Sequence, residues 1–181
     1  FPFEGKSNNS LIKGEISAGN AQSLTNAINT FNFDKCETFV AQRIEQAEDR
    51  SCHTIFLSNE LLLLALAKDN NLQQFISILN KLGISEVEFL LFLRDPVEQA
   101  LSLYKHRAKS GNVLDIEEWP NKNYVYGEAL LSFFQHVQLE KINLTVKKFS
   151  KETKEYNLTL IEFIIFCTFI FMSSSTVECK N

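Results

Sequence analysis

The residues best suited to chemistry in this 181-residue chain fall within Phe89 to Gly111, FLLFLRDPVEQALSLYKHRAKSG. Arg94 closes a run of apolar residues that reads as a buried strand. A guanidinium at a strand end suits a bidentate grip on phosphate. Asp95 and Pro96 have the residue types of a helix N-cap and first helical position, so a helix begins there with an N-terminus that favours anions. On that helix Val97, Ala100, Leu101, Tyr104 and Ala108 make an apolar stripe, expected inward. Ser102 lies off the stripe, with Lys105, His106 and Lys109 three, four and seven residues onward, which are its neighbours on a helix surface. One polar face therefore offers a hydroxyl among cations near a strand-end arginine, an arrangement that could hold a phosphate. The same residues also suit an ordinary helix, because cations are favoured in any last turn and an Arg-Asp-Pro corner can be a plain helix start.

A second candidate is Glu60, at the end of Thr54-Ile55-Phe56-Leu57-Ser58-Asn59-Glu60. A carboxylate at a strand end in a cleft could take the proton of an acceptor hydroxyl. It could equally occupy the first turn of a helix, where acidic residues are favoured. His53 opens the same strand and belongs at the opposite edge.

These residues need a scaffold, and the periodicity supplies one. His53 to Ser58, Val87 to Leu93 and Ile142 to Phe149 read as strands, the second nearly all apolar as a central strand should be. Helical spacing marks Ala21, Leu24, Ala27, Ile28 and Phe31, with Asn20 or Ser23 as the cap and an end near Asn32. Further helices are expected over Cys36 to Asp49 (Phe39, Val40 and Ile44 inward), Glu60 to Lys68, Leu72 to Leu82 stopped by Gly83, Pro96 to about Lys109, and Tyr126 to Leu139. Strands alternating with helices predict an α/β domain with a parallel central sheet and flanking helices. Ligands of such sheets bind beyond the carboxyl ends of the strands, which is where Ser58 to Glu60 and Arg94 to Ser102 fall.

The string Leu93-Arg94-Asp95-Pro96-Val97-Glu98, followed by Ala100-Leu101-Ser102-Leu103-Tyr104, resembles the 3′-phosphate-binding motif of sulfotransferases that use 3′-phosphoadenosine-5′-phosphosulfate. The run Lys105-His106-Arg107-Ala108-Lys109-Ser110-Gly111 is similar to bacterial members. The resemblance spans roughly residues 19 to 149 and is strongest at this motif. It implies that Arg94 and Ser102, eight residues apart, hold the 3′-phosphate of the donor, and that the fold is similar to P-loop nucleotide kinases. It also implies transfer of a sulfuryl group to a hydroxyl or amine acceptor, carbohydrate among the candidates. The segment ending in Ser58-Asn59-Glu60 resembles a strand end of the same family, which makes Glu60 the candidate general base.

The chain departs from the family in two places. The loop that grips the 5′-phosphosulfate, a Lys followed by Gly-Thr-Thr or similar, has no match; Gly5-Lys6-Ser7 is only the tail of a phosphate loop. The expectation is that this loop lies upstream of Phe1 and that the chain is a fragment. After Phe149 the chain runs into Leu158 to Met172, LTLIEFIIFCTFIFM, shorter than the roughly 20 apolar residues of a spanning helix. It is expected as a buried core element or as the product of a frame change that ends the chain early, with a membrane anchor as the lesser alternative. The division is therefore 1–150 for the α/β domain and 151–181 for an apolar segment and tail.

Composition bounds the rest. A net charge of −4 argues against bulk nucleic-acid binding. Cys36, Cys52, Cys167 and Cys179 form no CxxC pair, so no metal is expected and reduced, mostly buried thiols are. No secretory signal pattern is visible, and a cytoplasmic location is favoured for a bacterial protein, the Golgi lumen for a eukaryotic one. Sequons begin at Asn8, Asn143 and Asn157, with an exposed glycan at Asn143 disfavoured by its place in a strand. In the loop from Asn112 to Tyr126, Trp119, Tyr124 and Tyr126 could stack on an acceptor or pack the loop down. The alternative to an enzyme is a non-catalytic nucleotide-binding or interaction module that keeps only the 3′-phosphate site.

Overall fold

The computed structural model describes residues 19–93, 95–109, 111, 115, 118, 126–148 and 168–174. In chain order these form α1 (Gln22–Asn29), α2 (Phe33–Asp49), β1 (Thr54–Asn59), α3 (Leu62–Leu66) and α4 (Asn71–Lys81), then β2 (Ile84–Leu93), α5 (Pro96–Lys109), α6 (Tyr126–Leu139), β3 (Asn143–Lys148) and β4 (Thr168–Ser174). The α/β class expected from the alternation is the class observed.

The sheet is mixed, which corrects the expectation of a parallel one. Its order is β1-β4-β2-β3. β2 and β3 pair in parallel, whereas β4 runs antiparallel to both β1 and β2 and lies between them. The three strands read from the sequence therefore share one direction, and the odd strand comes from the apolar C-terminal segment. Residues 168 to 172 of that segment are strand, with Met172 buried; residues 158 to 167 lie outside those described. Membrane-spanning length is not reached by any helix among the described residues.

Both crossovers, β1 to β2 and β2 to β3, move the same way along the sheet. The right-handed rule for such connections then places their helices on one face, and burial agrees. Leu57, Asn59, Phe89, Leu91 and Met172 point to that face and are buried, together with Leu24, Ile28, Cys36, Val40, Leu62, Leu63, Leu66, Leu72, Phe75 and Leu79 of α1 to α4. Phe133 of α6 joins them, edge-on to Phe89 with ring centroids 5.4 Å apart. An edge-to-face pair of this kind adds about 1 kcal/mol beyond burial. On the other face Glu88 is exposed and Phe56, Leu90 and Phe92 are half-buried.

Several boundaries follow local chemistry that the pattern alone did not resolve. α1 ends at Asn29, and Phe31 turns out in a left-handed conformation (φ 55°), 56% exposed, instead of extending the apolar stripe. The Asn32 side chain then accepts the Lys35 amide at 3.1 Å and starts α2 three residues earlier than expected. Gly83 takes the left-handed position (φ 79°) after α4, as a C′ glycine should. α3 is a short helix of 5 residues, not the nine of Glu60 to Lys68. The Asn71 amide, buried, donates to the Ala65 carbonyl at 2.8 Å and holds the tight passage from α3 into α4.

Candidate functional site

β1 and β2 both end at the same end of the sheet, β2 running two residues beyond the level of Asn59. Thr168, the first residue of β4, is the register partner of Asn59 on one side and Leu91 on the other. Asn59 and Leu91 therefore stand two strand spacings apart, about 10 Å. Glu60 is the next residue beyond Asn59, and Arg94 follows Leu93. Lys148, the last residue of β3, pairs with Leu93 at the same edge. The two segments singled out from the sequence thus leave the sheet side by side, with the start of β4 between them. His53 precedes β1 at the opposite edge and is exposed there.

At the β2 end, Asp95 caps α5 as its residue type predicts. Its Oδ1 accepts the Val97 amide at 3.0 Å and the Glu98 amide at 3.1 Å. The anion that this N-terminus favours is thus already supplied by the chain, and a bound phosphate would need side chains instead. Arg94 lies outside the described residues. Ser102 is half-buried, about 9 Å along the helix from Pro96. Lys105 and Lys109 are exposed on its side of the helix. The stripe expected inward is observed only in part: Ala100, Tyr104 and Ala108 are half-buried, but Val97 is 67% and Leu101 41% exposed, and Gln99 is fully buried. Gln99 and, one turn on, Ser102 thus turn toward the protein.

At the β1 end a network of amide side chains surrounds the turn that carries Glu60. Asn20 Nδ2 donates to the Phe56 carbonyl at 2.8 Å, and its Oδ1 accepts the Ser58 amide at 2.8 Å. The Ala21 amide donates to the Ser58 carbonyl at 3.1 Å. Asn59, fully buried, donates through Nδ2 to Gln22 Oε1 at 3.0 Å and accepts the Leu61 amide at 2.9 Å through Oδ1. Glu60 itself is half-buried in a turn ahead of α3 rather than within a helix. Asn20 does not cap α1, whose N-cap residue Ala21 has no side-chain bond; its carboxamide goes to β1. Sequence reasoning missed Gln22 and Asn59 and misassigned Asn20. The one usable signal was Gly19-Asn20, a turn-type dipeptide, but its partner is nearly forty residues away.

Other features lie elsewhere. An open groove of about 550 Å³ is lined by Asp34, Glu37, Thr38, Gln42 and Glu45 of α2 with Lys81, and contains none of the candidate site residues. Among the described residues no group of His, Cys, Asp or Glu is arranged to hold a metal. Cys36 is buried, and loss of solvation pushes its thiol up to about 11, opposed by a backbone hydrogen bond. Cys52 is exposed, unlike the buried thiols expected, and Cys167 and Cys179 lie outside the described residues. Asn143 is exposed at the start of β3, although it is a strand residue. Gly5-Lys6-Ser7, Asn8, Asn157, Trp119 and Tyr124 also lie outside them, and only the backbone of Tyr126 is described. No family model, curated protein or solved structure matches the chain.

Proposed function

We propose that this chain is a sulfotransferase domain that takes its sulfuryl group from 3′-phosphoadenosine-5′-phosphosulfate, on a fold related to P-loop nucleotide kinases. Supporting the reading above all is the shared end of the sheet: the turn bearing Glu60 and the end of β2 ahead of α5 lie at the same end, with β2 running two residues further. Arg94 and the Ser102 hydroxyl hold the 3′-phosphate, and Lys105 and Lys109 add positive potential along the same side of α5. Since Asp95 already accepts the Val97 and Glu98 amides at the start of α5, the guanidinium and hydroxyl carry the specific contacts.

In the transfer, an acceptor hydroxyl or amine forms a new bond to sulfur as the bond from sulfur to the 5′-phosphate oxygen breaks. Adenosine 3′,5′-bisphosphate leaves with that electron pair, and Glu60 takes the acceptor proton. In-line placement and stabilisation of the spreading negative charge are the main demands of such a step.

The test is a thermal-shift titration with adenosine 3′,5′-bisphosphate. At about 100 times the dissociation constant the ligand adds about 2.7 kcal/mol, a rise of roughly 5–10 °C for a chain of this size. Arg94→Ala should abolish most of the rise, and Ser102→Ala should reduce it. A folded wild-type protein with no rise refutes the reading. A rise without sulfate transfer to any acceptor would instead identify a nucleotide-binding module.

A further inference from the structure

We infer that Asn20, Gln22 and Asn59 are positioning residues for Glu60, forming a side-chain clamp that fixes the turn after β1 from both sides. Among the described residues β1 stands at an edge of the sheet, with no strand paired to its outer side. The Asn20 carboxamide stands in for one. Its donor and acceptor meet the Phe56 carbonyl and Ser58 amide, both at 2.8 Å, as a peptide group of an adjacent strand would. Gly19 makes the approach feasible, because a Cβ there would sit 2.0 Å from the Ser58 oxygen.

The clamp continues past the strand. Asn59 is fully buried, and a buried carboxamide without partners is costly, so its bonds to Gln22 Oε1 and the Leu61 amide fix its orientation. Ser58 and Asn59 are held before Glu60 and Leu61 is held after it. The backbone of residue 60 is therefore pinned at both ends by amide side chains from α1 and from the preceding residue. The Asn59 bonds satisfy a carboxamide buried on the core face of the sheet, whereas the Asn20 bonds lie outside the apolar core. Holding a carboxylate in place is the use this arrangement suits, and that role rests on the reading of Glu60 as the general base.

Two measurements separate the clamp from that reading. The first is amide hydrogen exchange by NMR in the full chain. Gln22→Ala should speed exchange at Leu61 by about fivefold to tenfold, the ratio produced by losing one ordinary hydrogen bond, with Phe89 and Leu91 unchanged. Gln22→Glu keeps the acceptor oxygen and should restore protection. Asn26→Ala removes Gln22's other partner, Oδ1 of Asn26 at 2.9 Å, and should leave Leu61 protected. The second measurement is the release of adenosine 3′,5′-bisphosphate from the sulfate donor with water as acceptor. There water oxygen bonds to sulfur, the bond to the 5′-phosphate oxygen breaks and Glu60 takes a water proton. Gln22→Ala should lower kcat with KM for the donor unchanged, and Gln22→Glu should recover it. Unchanged Leu61 exchange in Gln22→Ala, or equal loosening at Phe89, overturns the clamp. Faster Leu61 exchange with normal kcat overturns the positioning role. A wild-type chain without turnover but with the exchange pattern as expected refutes the function of Glu60 and supports the clamp as the element that fixes the turn.

Discussion

Replacing Gly19 by alanine tests how closely the chain ahead of α1 is fitted to β1. Gly19 has φ 107°, and an added Cβ would meet the Ser58 oxygen at 2.0 Å, the Ser58 carbonyl carbon at 2.7 Å and the Asn59 Cα at 3.1 Å. All three are backbone atoms, so no side chain can swing aside. The segments must part by at least 1 Å to reach the closest contact that Cβ atoms tolerate, 3.0 Å. That separation breaks the paired Asn20 bonds and the Ala21 bond to Ser58, each with a net contribution of about 1 kcal/mol. The positive φ adds about 1–3 kcal/mol of backbone strain. The sum predicts a loss of about 4–6 kcal/mol, or roughly 10 °C or more in Tm for a chain of this length. Gly83→Ala is the internal control. Its φ is 79° but nothing lies within 4 Å of the added Cβ, so only a conformational cost of about 1 kcal/mol applies. Urea denaturation of both variants gives the difference directly. If Gly19→Ala costs no more than Gly83→Ala, the close approach of residue 19 to Ser58 is wrong, and the geometry assigned to the clamp is wrong with it.

Two further expectations rest on single groups. The Cys36 thiol is raised from an ordinary 9.0 to about 11, so the folded state holds that proton more tightly than the unfolded chain does; its stabilisation is complete below pH 9 and is lost as pH rises from 9 to 11. Wild type should therefore lose stability across that window faster than Cys36→Ala, as read from urea midpoints, and a thiol reagent at pH 8 should modify Cys52 alone among these two until the protein unfolds. Asp95→Ala removes the acceptor for the Val97 and Glu98 amides and should cost about 1 kcal/mol in urea denaturation; a neutral outcome would mean that water caps α5 equally well.

The elements were legible where they obey one local rule. The three strands that share a direction, α6 over Tyr126–Leu139 and the Asp95 cap all follow from periodicity or from capping chemistry at adjacent residues. What failed depends on partners far along the chain. β4 is apolar on successive residues, so its type is ambiguous from pattern alone, and its antiparallel position between β1 and β2 is set by pairing with both. On α5 apolar spacing holds for Ala100, Tyr104 and Ala108, which are half-buried, and fails for Val97 and Leu101, which are exposed while Gln99 is buried. Asn20 has the residue type of a helix cap, and only the presence of β1 beside it shows where its carboxamide goes.

The insertion of β4 also bears on how the proposed site would divide its work. Had β1 and β2 been adjacent, Asn59 and Leu91 would stand about 5 Å apart, bringing the Glu60 carboxylate closer to the cation meant for the 3′-phosphate. Such an acid would attract the guanidinium and repel the ligand. With β4 between them the spacing doubles to about 10 Å. In the donor, the 3′-phosphate and the sulfuryl group are attached at different positions of one ribose, so a base for the acceptor and a grip on the 3′-phosphate must be separated rather than contiguous. An intervening strand supplies that separation while keeping both groups at one edge. The same strand brings its own chain end to that edge at Thr168, midway between Asn59 and Leu91, so the first residue of β4 borders any ligand that bridges the two. On the reading proposed above, the site would therefore depend on β4 as well as on the segments that carry Glu60, Arg94 and Ser102.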